Sequence, residues 1–299
     1  MMHKWLIAIT LLALSPQVLA KLNIFACEPE WASLAQEIGG DKIEAHVATT
    51  AHQDPHHIQA RPSLLARARK ADLLICSGAG LESGWLPILL KKSGNGAIQP
   101  GKPGHIMAAD HVRLLEVLGR VSRSMGDVHA SGNPHLHLDP RNILEVAAVL
   151  KQRLQEIDKA NSRHYQQRHA DFENKWRQAM QRWNKHGGRL RGMPVVVHHR
   201  SWVYLENWLG LKEIAALEPK PGLPPTSAHL AEVLKQVGKT PAKGIIHSPY
   251  QQSKSANWLS GKSGIPVVML PYTIGGTPQA RDLFGLFDDT IDRLLAVSK

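Results

Sequence analysis

Residues 161–186 (NSRHYQQRHADFENKWRQAMQRWNKH) run without a proline or a glycine and stop at Gly187-Gly188. As a helix this stretch spans roughly 39 Å, about the diameter of a small domain, and glycine is the usual helix stop. A rod of that length divides the chain into a part before it and a part after it. The 299 residues leave enough on each side for a core of its own.

Both parts carry the same rhythm. Before the rod, strand 22–26 is followed by helix 31–38, strand 43–49, helix 62–70 and strand 72–76. A Gly/Pro/Ser-rich loop is expected at 93–104, and Asp139-Pro140 opens a helix over 141–157. After the rod come strand 194–197, helix 202–209, helix 228–237, strand 244–247, helix 258–264, strand 267–270 and a closing helix over 282–297. Such alternation predicts parallel sheets flanked by helices. No repeat of 20–50 residues is visible. The expected fold class is α/β: two lobes joined by one long rigid helix. Its divisions are a signal peptide at 1–20, lobes at 21–160 and 188–299, and the linking helix at 161–187.

The first twenty residues read as a targeting segment. Met1 to Lys4 is short and positive, Trp5 to Leu14 is apolar, and Val18-Leu19-Ala20 offers the small residues of a cleavage site. This is the pattern of a secretory signal peptide cleaved after Ala20, too short to span a membrane. No cysteine stands at the cleavage point, so no lipid anchor is expected. An exported chain meets an oxidising compartment. Its 2 cysteines, Cys27 and Cys76, each close an apolar run, and parallel strands would set them side by side for a disulfide. The net charge of +11 comes from 36 Lys+Arg against 25 Asp+Glu. These basic residues are scattered, and even Lys185 to Arg191 is interrupted by two glycines, so no nucleic-acid partner is expected.

The 17 histidines are the more unusual number. Ligands in open α/β sheets bind beyond the carboxyl ends of the strands, and three His motifs fall at or near such places. Asp54-Pro55-His56-His57 follows a strand, Asn133 to Pro140 (NPHLHLDP) precedes a helix, and Val197-His198-His199-Arg200 follows another strand. Neutral imidazole is a common zinc ligand, and three nitrogens supply most of a tetrahedral site. Asp-Pro also favours a plain turn at 54–57. His135 and His137 alternate, so one faces in and the other out. His135 is taken as the ligand, with His137 supporting it from behind or lying on the surface. Within His56/His57 and His198/His199 the residues alone do not choose.

A zinc hydrolase is the competing reading, because His135-Leu136-His137-Leu138-Asp139 matches the opening of an HxHxDH metal motif that activates water. Position 140 is proline where that motif needs histidine. Neither HExxH, GxSxG nor a Walker-type glycine loop is present.

Five segments in order give a more specific resemblance: DPH at 54–56 with RPS at 61–63, ADLLICSGAGLE at 71–82, NPHLHLDP at 133–140, HHRSWVYLENWLGL at 198–211 and EPKPGLPPTSAHLAEV at 218–233. Together they resemble the solute-binding component of zinc/manganese ATP-binding-cassette importers, the cluster A-I or zinc-uptake type. The resemblance implies a non-enzymatic, periplasmic receptor that holds metal in the cleft between lobes. It would act as a monomer and deliver the metal to a membrane permease. It carries the ligand roles onto His56, His135 and His199. The family often adds an acid just after the last strand, where this chain has Leu270 to Gly276 without a carboxylate. The fourth position is then assigned to His129, with water or Glu28 as alternatives. The loop before the second ligand, 119–132, holds a single histidine, so a metal-gathering role for it is weak. Three imidazoles without a carboxylate favour Zn2+ over Mn2+, which prefers oxygen ligands.

Overall fold

The computed structural model describes residues 20–122 and 125–298; the expected signal segment, apart from Ala20, lies outside them. Strands β1 (Leu22–Ala26), β2 (Ile43–Val47), β3 (Leu73–Cys76) and β4 (His105–Met107) form a parallel sheet in the order β2-β1-β3-β4. Strands β5 (Pro194–Val197), β6 (Lys212–Ala216), β7 (Gly244–His247) and β8 (Val267–Met269) form a second, in the order β6-β5-β7-β8. The two orders are the same, although no sequence repeat betrays it.

Helices α1 (Pro29–Gly39), α2 (Pro62–Lys70), α3 (Leu86–Ser93) and α4 (Pro140–Ile157) belong to the first half. α5 (Ser162–Gly187) is the long rod, and α6 (Val203–Leu209), α7 (Ser227–Lys239), α8 (Lys254–Ser263) and α9 (Leu283–Val297) follow. Proline at the first helical position costs no hydrogen bond, and it opens α1, α2 and α4. Asp139 caps α4 by accepting from the Arg141 amide at 2.9 Å, which satisfies one of the helix's free donors.

The rod is bound along its length. Tyr165, His169, Phe172, Trp176, Ala179, Trp183 and Gly187 are its buried residues, and their spacing of three and four makes one continuous face. That face packs on α1, α4 and α9. Trp176 stacks on Phe172 at 5.2 Å and meets Trp183 edge-on at 5.0 Å. Its indole N–H donates to the Pro140 carbonyl at 2.8 Å, so the buried polar atom is satisfied. One apolar core runs from Ile24 and Ile75 of the first sheet through Trp176 and Trp183 to Val195 and Ile246 of the second. Among the described residues no helix is long and apolar enough to cross a membrane.

Three elements differ from the sequence reading. β6 was not expected: it is an edge strand, and its Lys212 and Glu213 hide the alternation that marks a half-buried strand. β4 is also an edge strand, three residues long, and begins where the Gly/Pro-rich loop ends. α3 is short and lies just before that loop.

β1 and β3 pair with Ala26 opposite Ile75. Cys27 and Cys76 therefore meet at the carboxyl ends of the two inner strands, 4.8 Å apart at Cα, and form a disulfide. It closes a loop of 49 residues. The Cys27→Ala/Cys76→Ala variant should lose about 2–4 kcal/mol of unfolding free energy by this constraint on the unfolded chain, read from a urea titration of the metal-free protein.

Candidate metal centre

The histidines come from three places that the fold brings together. His56 sits on a single helical turn, Pro55–His57, that follows β2. Asp54 caps this turn by accepting from the His56 amide at 3.0 Å, an Asx turn of the kind Asp-Pro favours. His135 precedes the turn Leu136–Leu138 that leads into α4, and its amide donates to the Asn133 side chain at 3.1 Å. His199 lies just beyond β5. His198 still belongs to the sheet pairing, since its amide donates to the Ile246 carbonyl at 2.8 Å, and the chain then turns His199 toward the cleft.

Nitrogens of His56, His135 and His199 all lie within 4.8 Å of one another. The rings stand 5.6 to 6.0 Å apart, each pair crossing at 72–79°. Zinc–nitrogen bonds of about 2.0–2.1 Å set tetrahedral donors roughly 3.4 Å apart. Shifts of roughly an ångström or less in each side chain would close the set on such an ion.

Each ring is held from behind through its Nδ1. The Asp54 carboxylate accepts from His56 Nδ1 at 2.7 Å, and the Glu218 carboxylate from His199 Nδ1 at 2.7 Å. A carboxylate can only accept, so both rings carry their proton on Nδ1 and turn the Nε2 lone pair to the cleft. Glu218 is fixed in turn by the Gly222 amide at 2.8 Å. His135 Nδ1 lies 2.7 Å from the Tyr272 hydroxyl. Burial raises the Asp54 carboxyl, but the hydrogen bond and charge of His56 outweigh this and bring it below its usual range. Burial, reinforced by His56 and His199, holds His135 well below the ordinary imidazole value. It is therefore neutral at pH 7, the state that an imidazole needs in order to accept a metal ion.

His129 stands beside this set. Its Nε2 is 3.4 Å from His56 Nε2, and its ring stacks on His56 at 5.4 Å. Its back rests on Gly80, where a Cβ would come within 2.9 Å of Nδ1 and where φ is +91°. Only glycine accepts both conditions. Burial, then His56, brings the His129 imidazole down to about 4. A cavity of about 150 Å³ leads from solvent to the rings, lined by Glu116, Asp127, His129, His135, His199 and Arg200 among others.

Within each pair the structure separates the members. His57 is exposed, with its Nε2 4.0 Å from Asp127. His198 is buried behind His199, its Nε2 3.9 Å from Glu218. His137 is not on the surface: it is fully buried, and its nitrogens meet the Tyr272 carbonyl and Glu30. Glu28, an alternative fourth ligand in the sequence reading, is also elsewhere. Its carboxylate accepts from the Ser77 amide and hydroxyl at 3.2 and 3.1 Å. Burial and the neighbouring Glu82 and Glu30 raise it well above the usual carboxylate range. The HLHLD segment does not act as a hydrolase motif. Its two histidines diverge, and Asp139 is spent on the cap of α4 and on Arg141.

Sequence reading missed the partners. In sequence Asp54 reads as a turn former and part of the DPH segment, and Glu218 as part of another family segment. Tyr272 carried no local signal, since it reaches His135 across 137 residues of chain.

The family model for the zinc-uptake complex component A, periplasmic, matches residues 24–297. The metal ABC transporter substrate-binding lipoprotein ScbA of Streptococcus cristatus is 28% identical over 147 residues, 49% of this chain and 45% of its own length. The manganese ABC transporter substrate-binding lipoprotein PsaA of Streptococcus pneumoniae is 22% identical over 260 residues, covering 85% of this chain and 80% of its own. The chain thus spans about half the length of several curated relatives and most of PsaA. The crystal structure of ZnuA matches with TM-score 0.72 at 21% identity, covering 93% of this chain and 96% of that one. FpvC of Pseudomonas aeruginosa, solved in complex with Mn2+, matches with TM-score 0.76 at 20% identity, covering 93% and 98%. At these identities the structures establish the shared two-lobed fold. With a family model matched over nearly all the described residues, the chain belongs to the zinc-uptake component A family, a family of solute-binding receptors and not of enzymes.

Proposed function

We propose that the protein is an exported receptor that binds a divalent cation, zinc in preference to manganese, and delivers it to the membrane permease of an ABC importer. In this reading the signal peptide is removed after Ala20 and the mature chain works in the periplasm as a monomer. Its lobes, 21–160 and 188–299, face each other across the cleft and are tied by the helix at 161–187. The observation that carries the proposal is the convergence of three imidazoles, each held at Nδ1 by a residue behind it. The non-enzymatic reading is supported by the family, whose members are solute-binding receptors.

His56, His135 and His199 hold the ion, and His129 completes the set as the fourth donor. Without metal, His56 Nε2 is an acceptor, so His129 Nε2–H is the donor of the 3.4 Å contact. To bind metal, His129 moves its proton to Nδ1 and offers Nε2. A set of nitrogen donors suits zinc, whereas manganese favours carboxylate and water oxygens. That PsaA is named for manganese and the family for zinc makes this preference the point to test.

His135→Ala should weaken zinc binding by well over tenfold, through loss of one bond to the ion, and His129→Ala by less. Competition with a zinc chelator measures both. Equal affinity for Mn2+ and Zn2+ in the same assay would overturn the zinc assignment. Zinc should change the radius of gyration in solution scattering only modestly, because α5 has no proline, and no glycine before Gly187 at its end, at which to bend.

A further inference from the structure

His137 has no part in the metal cluster, yet it is among the most deeply buried polar residues of the chain. Its Nε2–H donates to the Tyr272 carbonyl at 2.9 Å. Its Nδ1 lies 3.2 Å from Glu30 Oε1, and both side chains are completely shielded from solvent. The other oxygen of Glu30 accepts from the Thr273 hydroxyl. Glu30 stands on α1, which packs on β1 and β2 of the first sheet, and His137 just before α4, which packs on α1. Tyr272 and Thr273 stand just beyond β8 of the second. A polar clasp from one lobe thus grips two successive residues of the other.

Burying a histidine and a glutamate together costs more than filling the same volume with apolar side chains. What an apolar pair lacks is a directed bond to a carbonyl. Here that bond fixes Tyr272. Its ring is set edge-on against His137 at 5.0 Å, Tyr250 at 5.5 Å and Trp202 at 6.3 Å. Its hydroxyl then reaches His135 Nδ1 at 2.7 Å. His56 and His199 have nearby carboxylates for this task. His135 depends on a side chain 137 residues away, on a segment that begins outside regular structure.

We propose that Glu30 and His137 are positioning residues for metal binding, acting through Tyr272: they fix the segment after β8 so that its hydroxyl holds His135 with Nε2 toward the other imidazoles. The inference rests on the reading of His56, His135 and His199 as ligands. It accounts for the second histidine of HLH without giving it a bond to metal.

The test is a double-mutant cycle on zinc affinity, measured by chelator competition in the full mature chain. Tyr272→Phe and His137→Leu should each weaken binding, by about 10–100-fold, as losses behind a metal ligand do. The double variant should be no weaker than the weaker single by more than about twofold, because both changes remove one pathway. His137→Gln, which keeps a donor for the Tyr272 carbonyl, should restore most of the affinity. Losses that simply add, or full affinity in Tyr272→Phe, would overturn the proposal. Should His137→Leu fail to fold, Tyr272→Phe and His137→Gln still decide it. His135→Ala separates the two readings. If it leaves zinc affinity unchanged, the ligand assignment fails. If it abolishes binding while Tyr272→Phe retains it, only the positioning role fails.

Discussion

The packing of one helix face decides the rest of this structure. Phe172, Trp176 and Trp183 on α5 bury against α1, α4 and α9, and through them the cores of both sheets become one. Large aromatic side chains carry much of the burial energy in such a contact. Because the rod is embedded in that core, the two sheets keep a fixed relation, and the loops at their carboxyl ends face each other at a set distance. A cleft that needs imidazoles from both sides within a few ångströms requires this rigidity.

The two sheets contribute differently to that cleft. In the first, the crevice between β1 and β3, where an open α/β sheet would ordinarily receive a ligand, is filled. The disulfide, Glu28, Ser77 and Glu82 occupy it, with Glu82 accepting from the Ser77 and Gly78 amides at 2.8 and 3.1 Å. Burial raises the Glu82 carboxyl to about 7. The first half therefore supplies its histidines from loops farther out, at 56 and 135. The second half places His199 directly beyond its own inner strand.

Much of this was legible in the chain. The proline- and glycine-free stretch marked α5 to within a residue at each end, and the apolar runs ending in Cys27 and Cys76 announced both strands and their pairing. The three His motifs pointed to one cleft because strand ends in such folds converge. Other parts were opaque for physical reasons. β6 reads as a polar segment because an edge strand half exposed to water tolerates Lys212 and Glu213. His137 could not be distinguished from a surface residue, since its burial is produced by α1 and by the segment after β8. Tyr272 acts on a ring that is remote in sequence, and no local pattern encodes such a meeting.

That remoteness has a kinetic side. The cluster and its supports draw on residues 30, 56, 135, 199, 218 and 272, so nearly the whole chain must be in place before the donors converge. Contacts this non-local form late, after the entropy of closing long loops has been met. His56 and His135 precede both His199 and Tyr272 in the chain, so neither meets its partners across the cleft until the second half has folded. Until then the donor set is incomplete. The donor set is complete only at the end of folding, and its geometry is in effect a report that the last strand and the segment beyond it have docked.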